Sequence, residues 1–503
     1  MEGDKLPDSF DVVIIGTGLG EAIVAASLSR IGKSVLHIDR NDYYGSHWAT
    51  FNFDSILKWA DCYQKCNEEE ISDENDKVPS HDSAISNIEI RSFIPETSPV
   101  NDIAKSEETS SEKDSSAASN SEKEDVPSND ENTPAEANCE NESTEQPSIN
   151  QEAVTDNSEG VEPQEDEQQK SEEKPKPSFF NPPKQSTIVS QAKIKQKSPD
   201  ISLEDFNALS RRFNLDVNPK FLFSAGPLVN AIIKANISHY SEFQVVNRIL
   251  TCKNDSIIEV PCNRSDIFSS SFLSMIEKRT LMKFLTLCLE FDADSPSEDV
   301  KKYQEKSFVE FLQSRRLSEN LQKFIIFSIA MVKPNTSTLE GLKETCSFLK
   351  SLGRYGKSPF IWPLYGVGEL PQAFCRMSAV FGALYCLGKS PVELKIEENK
   401  CTHVVLENQT IKCAHVVMNR SFLPQSYLNP SVSRNKVSKA ILITNGSILP
   451  SETEFISFLT IPPLAGKEEL VRVIELGPSA AACPAGLYVL YLTCKSTGKA
   501  LQD

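Results

Sequence analysis

The sequence reads Asp11-Val-Val-Ile-Ile15 and then Gly16-Thr-Gly-Leu-Gly20, an apolar strand that runs into a glycine-rich turn. Residues 21–31 place apolar side chains at helical spacing, and Gly32 stands where a helix would end. Ser34-Val-Leu-His-Ile-Asp39 then has the composition of a second strand. A strand, a glycine turn, a helix and a strand in this order predict the β-α-β opening of a dinucleotide-binding α/β domain.

The glycine turn departs from the cofactor-binding pattern at one position. Gly16 and Gly18 are present, and Asp39 ends the second strand where a ribose-binding acid belongs. Glu21, however, replaces the third glycine, and a carboxylate at the positive end of a helix would repel a pyrophosphate. We therefore expect a dinucleotide-type fold with no bound cofactor. A flavin-dependent oxidoreductase is kept as an alternative.

The negative charge of the chain is concentrated in one segment. The 503 residues carry a net charge of −19, yet residues 101–170 alone hold 21 acidic and 4 basic side chains and no Phe, Trp or Tyr. Such a composition cannot bury enough apolar surface to fold, so residues 67–202 are predicted to be a disordered acidic insert, either a spacer or a phosphate acceptor. The remainder is nearly neutral, which argues against a nucleic-acid partner.

Cysteine and histidine usage point to a reducing compartment without a metal centre. The 13 cysteines include no C-x-x-C pair, and the six histidines show no metal-ligand spacing. The polar start is unlike a signal peptide, and no apolar run approaches the ~20 residues of a membrane span. These features predict a cytosolic protein with free thiols.

A helical segment interrupts the α/β pattern in the second half of the chain. Three serines with a glutamate three residues later fit helix capping boxes: Ser274 with Glu277, Ser307 with Glu310, and Ser337 with Glu340. The sequence thus predicts an α/β protein with a flavoprotein-like discontinuous domain and a smaller all-helical domain. The boundaries are 1–66, 203–264 and 353–503 for the first domain, and 265–352 for the second.

Several longer segments resemble a known family. They are Gly16-Thr-Gly-Leu with Glu21, Val35-Leu-His-Ile-Asp39, Tyr43-Tyr-Gly45, Gly353-Arg-Tyr-Gly-Lys-Ser-Pro359 and Pro363-Leu-Tyr-Gly-Val-Gly-Glu-Leu-Pro-Gln372. Together they resemble the Rab GDP-dissociation inhibitor and Rab escort protein family, over about residues 8–64 and 205–503. The long insert, Ser210-Arg-Arg-Phe-Asn214 and Val260-Pro-Cys-Asn-Arg-Ser-Asp-Ile-Phe268 favour the escort branch.

The resemblance implies a binding role with no chemistry of its own. An escort protein binds unprenylated Rab GTPases, with the GDP form preferred, and presents them to the Rab geranylgeranyltransferase heterodimer. It then carries the geranylgeranylated product to membranes through a transient membrane contact. A geranylgeranyl chain needs apolar cover, about 0.8 kcal/mol per CH₂, which the apolar helix faces of 265–352 could supply if they do not fill their own core. A Rab GDP-dissociation inhibitor, which does not present Rabs to the transferase, is the other family alternative.

The resemblance also assigns site residues. It implies that Rab binding involves a platform of six residues, Tyr43, Tyr44, Glu369, Arg376, Leu384 and Cys386. Charged hydrogen bonds around an apolar patch would suit an interface, although Glu369 and Arg376 could instead form an intrachain ion pair. For the transferase, Phe284 and Leu287 fall in the corresponding helix, with a core role as the alternative. No catalytic or metal-binding residue is implied.

Overall fold

A computed structural model describes most of the α/β and helical parts of the chain. The described residues are 5–68, 79, 82, 84–92, 203–253, 256–261, 264–271, 273–398, 400–428, 436–463 and 469–496. Most of the predicted acidic insert therefore lies outside the described residues, and its disorder stays a prediction.

Eleven α-helices occur in the described residues. They are α1 (Leu19–Arg30), α2 (Phe53–Glu68), α3 (Leu203–Ala208), α4 (Pro227–Ala235), α5 (Arg264–Ser269), α6 (Met275–Leu289), α7 (Glu298–Lys301), α8 (Phe308–Ser314), α9 (Glu319–Phe324), α10 (Thr338–Ser351) and α11 (Glu369–Val380). A π-helical turn, Ile325–Ile329, continues α9.

The described residues also form seventeen strands. They are β1 (Ser9–Ile15), β2 (Val35–Ile38), β3 (Thr50–Phe51), β4 (Leu215–Asp216), β5 (Leu222–Phe223), β6 (Phe243–Val245), β7 (Arg248–Lys253), β8 (Ser256–Glu259), β9 (Phe360–Pro363), β10 (Leu384–Cys386), β11 (Glu393–Glu397), β12 (Lys400–Leu406), β13 (Gln409–Met418), β14 (Val437–Thr444), β15 (Ser457–Ile461), β16 (Val471–Leu476) and β17 (Tyr488–Lys495).

The first sheet contains the predicted β-α-β unit. Its strand order is β10-β2-β1-β13-β12-β11, and the four strands from β10 to β13 run parallel. The centre of β1 is buried, as expected for a parallel strand covered on both faces. Helix α1 packs against α11 through small residues, and the hydroxyl oxygens of Ser29 and Ser378 lie 3.0 Å apart. The predicted strand, turn, helix and strand are confirmed.

A second six-stranded sheet has the order β14-β17-β16-β15-β7-β8. Its neighbours are antiparallel except for the parallel pair β15 and β7. There are also two small sheets in the described residues, β3-β4 and β5-β9-β6. The first of them pairs Thr50 with Asp216. The chain therefore has the α/β class predicted from its sequence.

The helical segment begins its helices at the predicted caps. Ser274 accepts a hydrogen bond from the Glu277 amide, and the Glu277 carboxylate accepts one from the Ser274 amide, which completes the capping box. The hydroxyls of Ser307 and Ser337 likewise accept from amides three residues later. Ser318 caps α9 in the same way, although the sequence pattern did not single it out.

One apolar core joins the helical segment to the second sheet. The Phe360 ring lies 5.9 Å from the Phe348 ring of α10 and 5.6 Å from the Phe458 ring of β15, measured between centroids. All three side chains are buried. The predicted boundaries at 264 and 353 thus fall within a shared core and stay a prediction. None of the helices in the described part of the chain is long and apolar enough to cross a membrane.

Candidate functional site

Asp39 lies at the carboxyl end of β2, where a dinucleotide-binding protein holds a ribose. The side chain is fully buried, and its Oδ2 accepts hydrogen bonds from the amide and hydroxyl of Thr17, at 2.7 and 2.6 Å. Its Oδ1 accepts from the amide and side chain of Asn41, both at 2.9 Å. The carboxylate is therefore saturated by groups of the chain itself.

Glu21 occupies the start of α1, as its place in the sequence suggested. Gly18 is the N-cap residue and offers no side chain, and a Cβ built on it would lie 2.6 Å from Glu21 Oε2. The same carboxylate accepts a hydrogen bond from Asn419 Nδ2 at 3.2 Å. A negative charge thus sits at the helix end that a pyrophosphate would need.

Arg40 extends into the cleft beyond the ends of β1 and β2. Its guanidinium donates to the carbonyl oxygen of Pro79 at 2.8 Å and to the carbonyl and hydroxyl oxygens of Ser421 at 2.9 and 2.7 Å. The guanidinium carbon also lies 3.8 Å from the centre of the Phe422 ring. Arg40 therefore links the end of β2 to Pro79 and Ser421 across the cleft.

The rest of the cleft is filled by polar and aromatic side chains. His47 Nε2 lies 2.7 Å from Asp82 Oδ2. Burial alone would raise the pKa of Asp82, but the hydrogen bond from His47 and the charge of Arg40 hold it below its usual value. Tyr43 and Tyr63 line the same space, and the cavity left between these residues measures about 10 Å³.

These residues do not fit a flavin. Ligand pockets have volumes of roughly 300–1,000 Å³, whereas the remaining cavity in this cleft is about the size of one water molecule. The acid that would bind a ribose is already saturated, and the helix end that would bind a pyrophosphate faces a carboxylate. Among the described residues, no group of three or more His, Cys, Asp or Glu could hold a metal ion.

The predicted Rab-binding charges lie on one face of α11. Glu369 and Arg376 are seven residues apart, which corresponds to about two helical turns. Glu369 is half-buried, and burial raises the pKa of its carboxyl while the charge of Arg376 opposes the rise. Arg376 is exposed, and its guanidinium carbon lies 5.7 Å from the centre of the Tyr240 ring. Arg376 acts on Glu369 through its charge rather than through a hydrogen bond.

The two tyrosines of the predicted platform have different surroundings. Tyr43 packs edge-on against Phe51, with ring centroids 4.8 Å apart, and burial raises the pKa of its hydroxyl. Tyr44 is half-buried and lies 5.9 Å from the Tyr385 ring of β10. The structure thus brings Tyr44 beside the edge strand that carries Leu384 and Cys386, and places Tyr43 at the filled cleft.

The edge of the first sheet presents exposed apolar side chains. Leu384 is 41% exposed, and Cys386 is half-buried. The sequence reasoning missed Val380 and Phe381 at the end of α11, which are 70% and 48% exposed. Val380 follows Arg376 by one helical turn, a spacing that could have indicated it. Exposed apolar groups next to a charged pair form the composition of a protein interface.

The predicted transferase contacts are largely core residues. Phe284 is 3% exposed and belongs to the helical core, because its position on α6 faces α8 and α10. It is therefore not available for a partner as placed, while Leu287 is half-buried against the same core. The exposed apolar side chains at this end of the segment are Phe268, Met275 and Ile276, at 54%, 59% and 78%.

A groove of about 800 Å³ lies between the helical segment and the second sheet. Phe324 and Phe327 from the α9 region, together with Ile258 of β8, give it apolar walls. Lys333 and Lys495 stand at its polar side, where both contact Glu469. Apolar and charged side chains thus share the walls of this groove.

The fold and these sites define a class: a protein with a flavoprotein-like dinucleotide-binding fold whose cleft is filled by its own side chains. Residues 6–78 and 187–472 match the family model described as GDP dissociation inhibitor. The chain belongs to this GDP dissociation inhibitor family. The resemblance found in the sequence is confirmed at the level of the family.

Named relatives and a solved structure are similar to this chain. The chain is 36% identical to "Rab proteins geranylgeranyltransferase component A 1" of Rattus norvegicus, over 99% of this chain and 79% of the relative. It is 25% identical to "Rab escort protein 1" of Arabidopsis thaliana, over 97% of this chain and 77% of the relative. The crystal structure of Rab GDI from Plasmodium falciparum has the same fold, with a TM-score of 0.58 and 18% identity, over 99% of this chain and 85% of that one.

Proposed function

We propose that this chain is a Rab escort protein, the non-catalytic component A that serves Rab geranylgeranyltransferase. The observation that carries the proposal is its 36% identity, over 99% of the chain, to a relative with the name of that component. The closed cleft fits this role, because a chain without a cofactor site contributes surfaces rather than redox chemistry.

The Rab GTPase binds, in this proposal, to the face formed by α11, Tyr44 and β10. Glu369 and Arg376 supply charged hydrogen-bonding groups, and Val380, Phe381 and Leu384 supply apolar area beside them. Partly buried charges at the edge of an apolar patch give orientation and specificity to such an interface. The GDP form of the Rab is the preferred partner.

The transferase binds, in this proposal, to the exposed apolar start of α6 with the adjoining α5. Phe268, Met275 and Ile276 replace the predicted Phe284 as the contact candidates, since they are exposed and Phe284 is not. An Ile276→Asp substitution should impair transferase recruitment and leave Rab binding unchanged. Val392→Asp, at an exposed valine outside the helical segment, is the matched control.

The geranylgeranyl chain is proposed to bind in the groove between α9 and the second sheet before the product reaches the membrane. Ile258 lines the groove, whereas its neighbour Ile257 points to the opposite face of β8. Ile258→Asp should therefore weaken binding of a fluorescent geranylgeranylated peptide more than Ile257→Asp does. Equal effects of the two substitutions would argue against the groove.

The deciding experiment is reconstitution of Rab prenylation from purified transferase, Rab·GDP and geranylgeranyl diphosphate, with and without this chain. If the chain is an escort protein, prenyl groups should be incorporated into the Rab only when the chain is present. A chain that binds prenylated Rab but never supports incorporation would instead be a Rab GDP-dissociation inhibitor, the alternative within the same family. Absence of any Rab binding would refute both.

A further inference from the structure

The first turn of α11 has no capping side chain of its own. Its N-cap residue is Gly368, which makes no side-chain capping hydrogen bond. Within the first turn, the Glu369 amide donates to the Gly366 carbonyl at 3.4 Å and the Leu370 amide donates to the Val367 carbonyl at 3.2 Å. The two amides just before the helix are bound by β3 and β4: the Gly368 amide donates to Thr50 Oγ1 and the Val367 amide donates to Asp216 Oδ1, both at 2.9 Å.

The two acceptors are themselves linked. Thr50 and Asp216 are paired across the β3-β4 ladder, and the Thr50 hydroxyl donates to Asp216 Oδ1. The Asp216 amide donates to the hydroxyl of Tyr491 at 2.9 Å, which fixes the aspartate from the second sheet. A continuous set of hydrogen bonds therefore runs from the second sheet to the start of α11.

The glycines of this turn leave the space that the contacts need. A Cβ on Gly366 would lie 2.7 Å from Asp216 Oδ1 and from Thr50 Oγ1, and Gly366 has a φ of +101°. A Cβ on Gly368 would lie 2.7 Å from Thr50 Oγ1. Glycine at positions 366 and 368 thus leaves room for the side chains of Thr50 and Asp216 just before Glu369.

Asp216 adds an observation that packing alone does not explain. The residue has no exposed surface, and its Oδ2 has no hydrogen-bond partner among the described residues. A buried carboxylate with an unpartnered oxygen costs stability. The contacts that offset this cost are those to the amide before α11 and to Thr50.

We propose that Thr50 and Asp216 are positioning residues that fix the first turn of α11, and through it Glu369, for the Rab partner. The inference rests on the proposed function, since it assigns the purpose of the positioning to Rab binding. Neither residue touches the exposed face of α11, so both act through Glu369. Loosening the turn would lower the fraction of molecules with Glu369 in place and weaken the apparent affinity by that fraction.

The test uses Thr50→Val, which keeps the shape of the side chain and removes the hydroxyl. We expect the affinity for unprenylated Rab·GDP to fall about five- to tenfold, the size of one lost hydrogen bond. Thr50→Ser, which restores the hydroxyl, should recover most of it. Thr345→Val is the control, because it removes a buried, hydrogen-bonded threonine hydroxyl from α10, remote in sequence from the turn. It should lower the melting temperature without changing Rab affinity.

Two further measurements separate positioning from general destabilisation. In a Glu369→Ala background, Thr50→Val should lower the affinity less than about twofold. The carboxylate through which Thr50 acts on the partner is absent there. Hydrogen exchange at the Gly368 amide should be faster in Thr50→Val than in the parent chain. Unchanged Rab affinity in Thr50→Val, or a loss that persists in full without the Glu369 carboxylate, would overturn the inference.

Failure of the proposed function has a different signature. If the unmodified chain does not bind Rab·GDP, the escort proposal and the link between the turn and Rab binding both fall. If hydrogen exchange at the Gly368 amide is the same in Thr50→Val and in the parent chain, the positioning role of the Thr50 hydroxyl is refuted, whether or not Rab binds.

Discussion

The cleft at the end of the first sheet and the nearby helix α11 differ in how their polar side chains are bonded. In the cleft at the carboxyl ends of β1 and β2, Asp39, Arg40 and His47 each bond to groups of the chain itself, and almost no space remains. On the face of α11, the charge of Arg376 acts on Glu369 without a hydrogen bond between the two, and apolar side chains beside them stay exposed. The comparison shows that one fold can satisfy the polar groups of its cleft internally while the polar and apolar groups of an adjacent helix stay exposed.

The first prediction tests the bonding of the cleft by removing the Asp39 carboxylate. Asp39→Ala deletes the acceptor of buried donors on Thr17 and Asn41, and should lower the free energy of unfolding by about 4 kcal/mol. Urea unfolding measures the change. Asp42→Ala, at an exposed position three residues later, is the matched control and should change it by about 0.5 kcal/mol or less. An Asp39→Ala protein as stable as its parent would mean that the cleft is not a structural network.

The second prediction concerns pH and Asp216, which supports the start of α11. Burial raises the pKa of Asp216 to about 7, so the folded state holds a proton more tightly than the unfolded chain, whose ordinary value is 3.8. Stability from this group is full below about pH 4 and is lost as pH rises to about 7, by about 4 kcal/mol at most. Asp216→Asn should remove that slope. Parallel stability curves for parent and variant, followed by urea unfolding from pH 4 to 8, would contradict the prediction.

The third prediction sharpens the contrast on the α11 side. Replacing both Glu369 and Arg376 with Ala should weaken the Rab·GDP complex about 30- to 100-fold, or about 2–3 kcal/mol, while the melting temperature changes little. Calorimetric titration and thermal unfolding give the two quantities. Glu393 and Lys395, on exposed positions of β11, offer a double-alanine control that should bind normally. A folded Glu369/Arg376 double mutant with normal affinity would remove these residues from the platform.

The smallest expected effect is that of a flavin. Because the cleft is closed by side chains from several segments, added FAD should leave the melting temperature unchanged. Glu21→Gly alone should not create binding, since Asp39 and the filled cleft remain. A stoichiometric flavin absorbance band in the purified protein, or thermal stabilisation by FAD, would restore the oxidoreductase alternative.

Local patterns in the sequence determined much of the architecture. The β-α-β opening and the caps at Ser274, Ser307 and Ser337 could be recognised because their interactions join residues a few positions apart. Glu21 in place of a glycine also predicted that no cofactor binds, since the charge at a helix end is a local property, and this stays a prediction. Family resemblance then supplied the platform residues, which no periodicity could have assigned.

Only the tertiary structure decided how these elements meet. Helical spacing could not tell that Phe284 faces the core while Ile276 is exposed, because that depends on which helices pack against α6. Arg40 donates hydrogen bonds to Ser421, 381 positions away, and the Gly368 amide donates to Thr50, 318 positions away. Such contacts leave no local pattern, because their geometry is set by the packing of whole sheets and helices. The sequence by itself determined the β-α-β unit, the helix starts and the charge at the degenerate turn. Long-range packing decided that side chains fill the cleft and that the chain just before α11 is bonded to β3 and β4, because those contacts join residues far apart in sequence.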